Sequence, residues 1–559
     1  MKDGKTSYFA PTDSLQFSIP WKDIQAHRPI YEEKQKKWNN PFTYPMTPMR
    51  SIWKGMQQSD TKPGVDRKTL SDTLPLLPLT SDRLKDLSLP SETIRTTWIG
   101  HNTFLIQVCG LNIITDPVFV NHAGIGPLGP KRLVPVPCLI RDLPHIHLVI
   151  VSHNHYDHFS TVSLREIEDA HHPIYMIPPG DRNLLQKTII GGSSPTKPSK
   201  PSSKEELSSS MPYFGADIEK GRMIVSPFPL MSVEDAARIQ KSYFRSSRSE
   251  KKSRDLLDVN SRIFELHWYD QFVYDSSRGS FSIVASKISG SSEIVGSFTR
   301  PLSRDMYLNC IARDRDVYSK SHLSSLPSFS IMPASASHRS NRGMNDSERS
   351  LVCSFMMKIM GQERDPPRPF TIFFAGDTAY DTRMVDDWKE VLYASRFVPS
   401  SSSSSSSVPR PLGDIPLSLS SSPMISVSEV ERSDEDDLLS EKRGTPGHSD
   451  ASSGSDPSSS PLHSVEPDIF PAVDLALLPI GAYAPRAIFK TMHAAPEDTV
   501  RMMEALQPTQ AIAMHWGTFI LTMEPYLEPP RLSRELMEKA GLAERFFILQ
   551  HGETKLFLK

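Results

Sequence analysis

The hexapeptide His153-Asn154-His155-Tyr156-Asp157-His158 holds three imidazoles and a carboxylate in six consecutive residues. Imidazole nitrogen and carboxylate oxygen are the donors a zinc-like ion takes. His153 and His155 stand two apart, so at the end of an extended strand their side chains point the same way. Asp157 and His158 follow on the tightening turn and face a second point. Four such donors can serve two ions but cannot complete both, so more are expected later in the chain. Packing has no use for this cluster, which is costly to bury unpartnered. Clustered His and Asp of this kind read as a metal site.

The later donors follow apolar runs. Pro333-Ala-Ser-Ala-Ser-His338 places one histidine after a short strand, and His153 and His155 need a third nitrogen to approach tetrahedral geometry. Phe370-Thr-Ile-Phe-Phe-Ala375 ends in Gly376-Asp377. The glycine lets backbone come close to the site, and one carboxylate can bridge two ions with its two oxygens. Gln510-Ala-Ile-Ala-Met514 delivers His515, and His493 stands just before a helix expected from Pro496. The runs ending at Val151, Ala375 and Met514 each deliver a donor at the carboxyl end of a strand, which is how a site is built on rigid elements.

The rest of the pattern alternates strand and helix. Thr103–Val108 and Leu111–Thr115 are strands joined by a tight hairpin at Cys109-Gly110. Asp116-Pro117 ends the second at the same edge as the hexapeptide. Ser160 caps a helix through Ala170, His172–Ile177 is the next strand, and Asp181 caps a short helix through Lys187. Strand character resumes over Arg262–Trp268, Val473–Pro479, Phe546–Gln550 and Lys555–Leu558. This alternation fits a sheet covered on its outer face.

With 559 residues, 38% of them hydrophobic, and 48 prolines, the chain has too little apolar material to be core throughout. One catalytic domain over 95–559 is expected, preceded by a partly irregular arm over 1–94. Disordered, low-complexity insertions are expected near 191–260, 276–326 and 399–466. They hold a charged run at Arg245–Arg254, a hairpin extension at Phe281–Ser286 and the tract Ser400–Ser407. The arm interleaves Trp21, Trp38, Phe42, Tyr44 and Trp53 with Lys and Arg. It reads either as an arm packed on the domain or as a membrane-surface segment. A net charge of −2 gives no field for nucleic acid. Cys109, Cys138, Cys310 and Cys353 are widely spaced, which suits a reducing compartment. The start, Met1-Lys2-Asp3-Gly4-Lys5, lacks an apolar signal core, and no run reaches the ~18 apolar residues of a membrane span. The expected location is intracellular, cytoplasmic or peripheral on an internal membrane.

The hexapeptide resembles the signature of the metallo-β-lactamase superfamily. Its flanks resemble the N-acyl-phosphatidylethanolamine-hydrolysing phospholipase D branch. The matching stretches are Thr97–His101, Thr115–Pro117, Gly129–Arg132, Phe374–Thr378, Pro479–Tyr483 and Met514–Phe519, in that order. The resemblance covers roughly residues 95–190, 262–275, 328–396 and 469–559. It implies an α/β fold, the four-layer αββα sandwich of the superfamily. It also implies two Zn2+ per chain, one held by His153, His155 and His338 and the other by Asp157, His158 and His515, with Asp377 as bridge. Asp157, Asp377 and His493 are the implied catalytic residues. Tyr156 and His493 match residues that meet substrate, although Tyr156 reads equally well as loop packing. Asp116 matches an aspartate that hydrogen-bonds a ligand histidine, and it is also a natural strand terminator. His101 reads either as support for the ligands or as a packed histidine.

The implied activity is hydrolysis of N-acyl-phosphatidylethanolamine to N-acylethanolamine and phosphatidic acid. The expected partners are a membrane phospholipid substrate and a peripheral membrane contact, with no nucleic acid; a homodimer is compatible with this reading. Three stretches depart from the branch: Gly124–Leu128, Ala484 and Arg339–Arg342. They leave the metal chemistry untouched and bear on acyl-chain preference. An ester, lactone or other phosphodiester hydrolase on the same fold is the enzymatic alternative, and a non-catalytic scaffold the other.

Overall fold

A computed structural model describes residues 15, 17, 27–44, 48–66, 68–85, 93–190, 262–276, 280–284, 327–343, 346–361, 368–394 and 473–558. Most of the three expected insertions lies outside these described residues, with Arg245–Arg254, Ser400–Ser407, Cys310 and Trp21. The described residues belong to one compact unit, Met1–Val398 with Pro471–Lys559.

The N-terminal part contributes a short hairpin, β1 (Ile30–Glu32) with β2 (Lys37–Asn39), and the helix Met49–Gln57. Phe17 and Phe42 are buried in the main core. The Phe17 amide donates to Gln271 Oε1 at 2.9 Å, and Gln271 Nε2 donates back to the Phe17 carbonyl at 2.7 Å. On the same segment Trp53 is 64% exposed.

The first large sheet starts with β3 (Thr93–Gly100), β4 (Thr103–Val108) and β5 (Leu111–Thr115), paired antiparallel in turn. The turn between β4 and β5 has Cys109 at φ 51° and Gly110 at φ 81°, both left-handed, as a two-residue hairpin requires. Parallel strands β6 (Leu148–Ile150), β7 (Ile174–Ile177) and β8 (Ile263–Glu265) extend it. The second sheet begins with β9 (Gln271–Asp275), β10 (Ser280–Val284), β11 (Phe329–Ala334), β12 (Ser354–Met360) and β13 (Pro369–Phe374). It turns parallel through β14 (Leu475–Pro479), β15 (Gln510–Met514) and β16 (Phe546–Phe547). The last strand, β17 (Thr554–Leu558), returns to pair with β3. The orders are β17-β3-β4-β5-β6-β7-β8 and β10-β9-β11-β12-β13-β14-β15-β16.

Alternation along the strands explains the layering. Ile113, Leu148, Ile150 and Met176 face the core shared with the second sheet. Their neighbours Ile114, Val149, Val151, Tyr175 and Ile177 pack instead with Leu164, Ile167, Leu185 and Ile189 of two covering helices, Thr161–His171 and Arg182–Ile190. Helices Thr382–Ala394, Pro496–Leu506 and Glu528–Lys539 join the other sheet, where the Trp388 ring lies 4.8 Å from that of Phe373. The result is the αββα sandwich that the sequence implied.

Local differences have local causes. The strand expected from His172 begins at Ile174, because His172 takes the left-handed conformation (φ 50°) that closes the preceding helix. The run Arg262–Trp268 is a strand only over β8: a turn bonds the Asp270 amide to the His267 carbonyl at 3.0 Å, and Trp268 is buried with its indole N–H on the Val352 carbonyl at 2.9 Å. Phe546–Gln550 shortens to β16, whose partners are Ala511 and Ile512 alone. Residues 280–284, expected to extend a hairpin within an insertion, do so as the edge strand β10 paired antiparallel with β9. Ser160 caps its helix as expected, accepting from the Ser163 amide at 3.2 Å.

Candidate metal centre

Parallel strands put their carboxyl ends at one edge, and the donors collect there. β6 runs into the turn 153–158, β13 into Gly376-Asp377, β15 into His515 and β11 toward His338. Gly376 is needed twice over. Its φ is +60°, and a Cβ there would sit 2.8 Å from Ser152 Cβ. Gly481 is needed for contact, since its Cβ would lie 2.1 Å from the His515 carbonyl oxygen.

All seven expected ligand positions come together. In one group His153 Nε2 is 2.8 Å from His155 Nδ1, and His338 Nε2 is 3.3 Å from the same His155 nitrogen. Asp377 Oδ2 stands 3.9 Å from His153 Nε2 and 3.8 Å from His338 Nε2. In the other group Asp157 Oδ2 is 3.4 Å from His158 Nε2 and 3.8 Å from His515 Nε2. Asp377 reaches this group as well, with Oδ2 3.2 Å from His158 Nε2 and Oδ1 2.9 Å from His515 Nε2. One carboxylate therefore addresses both clusters.

Supporting bonds orient the rings. Asp116 Oδ2 takes the N–H of His158 Nδ1 at 2.7 Å, the role the resemblance implied. Ser152 donates to Asp116 from its amide (2.7 Å) and its hydroxyl (2.6 Å), and the hydroxyl oxygen lies 3.0 Å from His153 Nδ1. His338 Nδ1 donates to the Met492 carbonyl at 2.7 Å. Each such bond fixes a tautomer and leaves the other ring nitrogen as a lone pair. His101 supports as well: its Nε2 is 2.9 Å from Asp157 Oδ2. Burial and the neighbouring His515 hold its imidazole down to about 3, so it is neutral and donates there.

The donors fit cations. His158 Nε2, Asp377 Oδ1 and His515 Nε2 are buried, and the short contacts between these side chains lack hydrogen-bond geometry, a costly state for protein groups alone. Burial disfavours a charged His158, yet Asp377, Asp157 and Asp116 outweigh it and hold the imidazole well above its usual range. Burial also pushes the Asp377 carboxyl up, and His158 and His515 more than reverse this. The carboxylates demand positive charge at the points where an ion would sit.

His493 approaches from the other wall, Nδ1 3.7 Å from Asp377 Oδ2, with 15% of its side chain exposed. Tyr156 lies on the turn, half-buried, outside both clusters. Asp181 stands before its helix as expected, but Oδ1 accepts from Asn154 Nδ2 at 3.0 Å, so the carboxylate braces the metal turn. Ser152, Met492 and Glu524 were not singled out from sequence. Glu524 accepts the amides of Ala482 (2.8 Å) and Ala484 (3.0 Å), anchoring the Ile-Gly-Ala-Tyr loop from a separate segment. Nothing in the spacing marked them, because each acts through a partner distant in sequence.

A family model described as "Beta-lactamase superfamily domain" matches residues 95–206, the stretch that includes β3 to β7 and the histidine turn. Over those residues the chain is similar to the β-lactamase superfamily. Curated relatives point to the branch. The chain is 34% identical over 128 residues to "N-acyl-phosphatidylethanolamine-hydrolyzing phospholipase D 1" of Caenorhabditis elegans, 22% of this chain and 35% of that protein. It is 20% identical over 490 residues to "N-acyl-phosphatidylethanolamine-hydrolyzing phospholipase D, mitochondrial" of Saccharomyces cerevisiae, 86% of this chain and 62% of that protein. These alignments span less than two thirds of either relative's length. Among solved structures, an isothiocyanate hydrolase from Delia radicum gut bacteria aligns at TM-score 0.37 and 12% identity, over 82% of this chain and 98% of that one. The metallo-β-lactamase fold implies a dimetal centre, and among the described residues three overlapping groups of donors could hold ions: His153, His155, His338 and Asp377; His101, Asp157, His158 and His515; and Asp377, His493 and His515. Among the described residues no helix is long and apolar enough to cross a membrane. Cys138 and Cys353 are buried free thiols.

Proposed function

We propose that the protein is a dizinc phosphodiesterase that hydrolyses N-acyl-phosphatidylethanolamine to N-acylethanolamine and phosphatidic acid. The observation that carries the reading is Asp377, whose two oxygens address both histidine clusters. His153, His155 and His338 would hold one ion, Asp157, His158 and His515 the other. When bound, such a pair lowers the pKa of water toward about 7 and offsets charge on phosphoryl oxygens.

The chain's own residues do the rest. Asp116, Ser152 and the Met492 carbonyl orient the rings, so no reorganisation is needed during reaction. In the hydrolysis a water oxygen bonds to phosphorus, and the bond from phosphorus to the ethanolamine oxygen breaks. The attacking water gives up one proton and the departing oxygen takes one up, and partly exposed His493 is the side chain placed to pass it between them. Tyr156, on the histidine turn, is the other side chain that would meet substrate. The lipid assignment is supported by the names of the two curated relatives and by the Gly-Pro-Lys-Arg and Ile-Gly-Ala-Tyr stretches. Peripheral contact with a bilayer would let the acyl chains stay in lipid.

The test is incubation of zinc-loaded protein with vesicles containing the lipid, followed by mass spectrometry of products. Phosphatidic acid with N-acylethanolamine supports the reading. Turnover of soluble esters or lactones with the lipid untouched would move the assignment to another hydrolase of this fold.

A further inference from the structure

Arg342 stands four residues after His338, in the stretch Arg339-Ser340-Asn341-Arg342 that departs from the branch pattern. Its Nη1 donates to the carbonyl oxygens of Asn154 and Phe159, both at 2.8 Å. Its Cζ lies 4.0 Å from the centroid of the Tyr156 ring and 5.3 Å from that of Phe159. One guanidinium thus spans the histidine turn from its second residue to the residue after its last, with Tyr156 stacked on its face.

The clamp is itself held. The amides of Arg342 and Gly343 donate to Asp346 Oδ1 at 3.0 and 2.7 Å. Asn154, between two ligand candidates, is braced from elsewhere, its Nδ2 donating to Asp181 Oδ1 at 3.0 Å and to Ser350 Oγ at 2.8 Å. A single loop therefore delivers His338 to within 3.3 Å of His155 and also grips the turn on which His155 rides.

We propose that Arg342 is a positioning residue for the metal centre, holding the turn 153–158 closed at the spacing that His338 requires. The proposal rests on the dimetal reading above. The planar fork matters, because two carbonyls and an aromatic face are met at once; an ammonium is a point charge without that plane. Removing a partner that orients ligands lowers metal affinity by about 10–100-fold.

The experiment is a zinc-retention titration against a chelator, paired with thermal melting, on wild type, Arg342→Met and Arg342→Lys. Leu392→Ala, in the buried face at the far end of the helix Thr382–Ala394, serves as a destabilised control. Arg342→Met should lose zinc about 10–100-fold more readily, while the control melts lower yet retains zinc like wild type. Arg342→Lys should shift the same way by less, and it stands in if the methionine variant fails to fold. Wild-type retention in a folded Arg342 variant would overturn the proposal. So would an equal loss in the Leu392→Ala control, which would make the effect general loosening. A wild type that binds no zinc would instead overturn the dimetal reading itself, and this inference with it.

Discussion

Asp116 Oδ2 and His158 Nδ1 lie 2.7 Å apart, both side chains fully buried, at the ends of neighbouring strands. The contact commits the His158 proton to Nδ1 and leaves Nε2, which is 3.2 Å from Asp377 Oδ2, as the ligand atom. Asp116→Asn keeps the shape but weakens the acceptor. Zinc affinity should fall about 10–100-fold by chelator competition, with the fold retained. Unchanged affinity would mean that the carboxylate serves only to end β5.

A second buried pair governs acid stability, remote from the metal residues. Arg262 grips Glu168 with two nitrogens, at 2.6 and 3.0 Å, and Tyr175 donates its hydroxyl at 3.1 Å. Burial alone would raise the Glu168 carboxyl, but His172 and Arg262 prevail and hold it at about 2. A folded value below the unfolded one, ordinarily about 4.3, stabilises at pH above that value and is lost as pH falls toward 2. The contribution is about 3 kcal/mol at neutral pH. Urea unfolding of metal-free protein should therefore show a loss between about pH 4.5 and 2 that is smaller by about 3 kcal/mol in Glu168→Gln. That variant should also be about 3–5 kcal/mol less stable near neutrality, because Arg262 is left buried without its anion. Parallel acid branches in the two proteins would contradict this.

A third expectation concerns the longest interruption. β13 and β14 pair directly, Ile372 opposite Leu475, although residues 395–472 intervene beyond the helix Thr382–Ala394. Among the described residues, no member of the donor clusters lies between Asp377 and His493 in sequence. Replacing roughly residues 400–465 by a short Gly-Ser linker should leave zinc content and turnover intact, since closure entropy changes slowly with loop length. A folded, metal-loaded deletion without activity would assign the segment a part in catalysis.

The strands that deliver donors were legible because burial on both faces makes them short apolar runs with an abrupt polar end. Leu148–Val151 before His153 and Phe370–Ala375 before Gly376 are of this kind. The hairpin at Cys109-Gly110 was legible from turn chemistry. β12 was not, because Ser-Phe-Met-Met-Lys-Ile-Met is poor in β-branched residues and carries a lysine. That lysine is buried, its ammonium 4.3 Å from the Phe17 ring centroid, a tertiary contact no local pattern announces. The helix Glu528–Lys539 was not among the expected elements; it carries Pro529-Pro530 in its first turn, where proline is tolerated although its local signal is that of a helix breaker.

The site divided along the same line. His153, His155, Asp157 and His158 are adjacent in sequence and declare themselves. His338, Asp377 and His515 were found because donors were still missing and apolar strands ended beside them. Of the groups that orient these side chains, Asp116 was marked by the resemblance and takes the His158 N–H as implied. Ser152 is an ordinary strand-end residue until the fold sets its hydroxyl 2.6 Å from Asp116, and the Met492 carbonyl is a backbone atom. The same holds for Arg342, whose acceptors Asn154 and Phe159 lie more than 180 residues away.

The central claim is that two ions sit between these clusters with Asp377 shared. Elemental analysis of zinc-reconstituted, desalted protein tests it most directly, comparing wild type with His153→Ala, His515→Ala and Asp377→Ala. Wild type should hold about two zinc ions per chain, each histidine variant about one, and Asp377→Ala less than one, because it takes a donor from both sites. Two equivalents retained in folded Asp377→Ala, or none in wild type, would contradict the account.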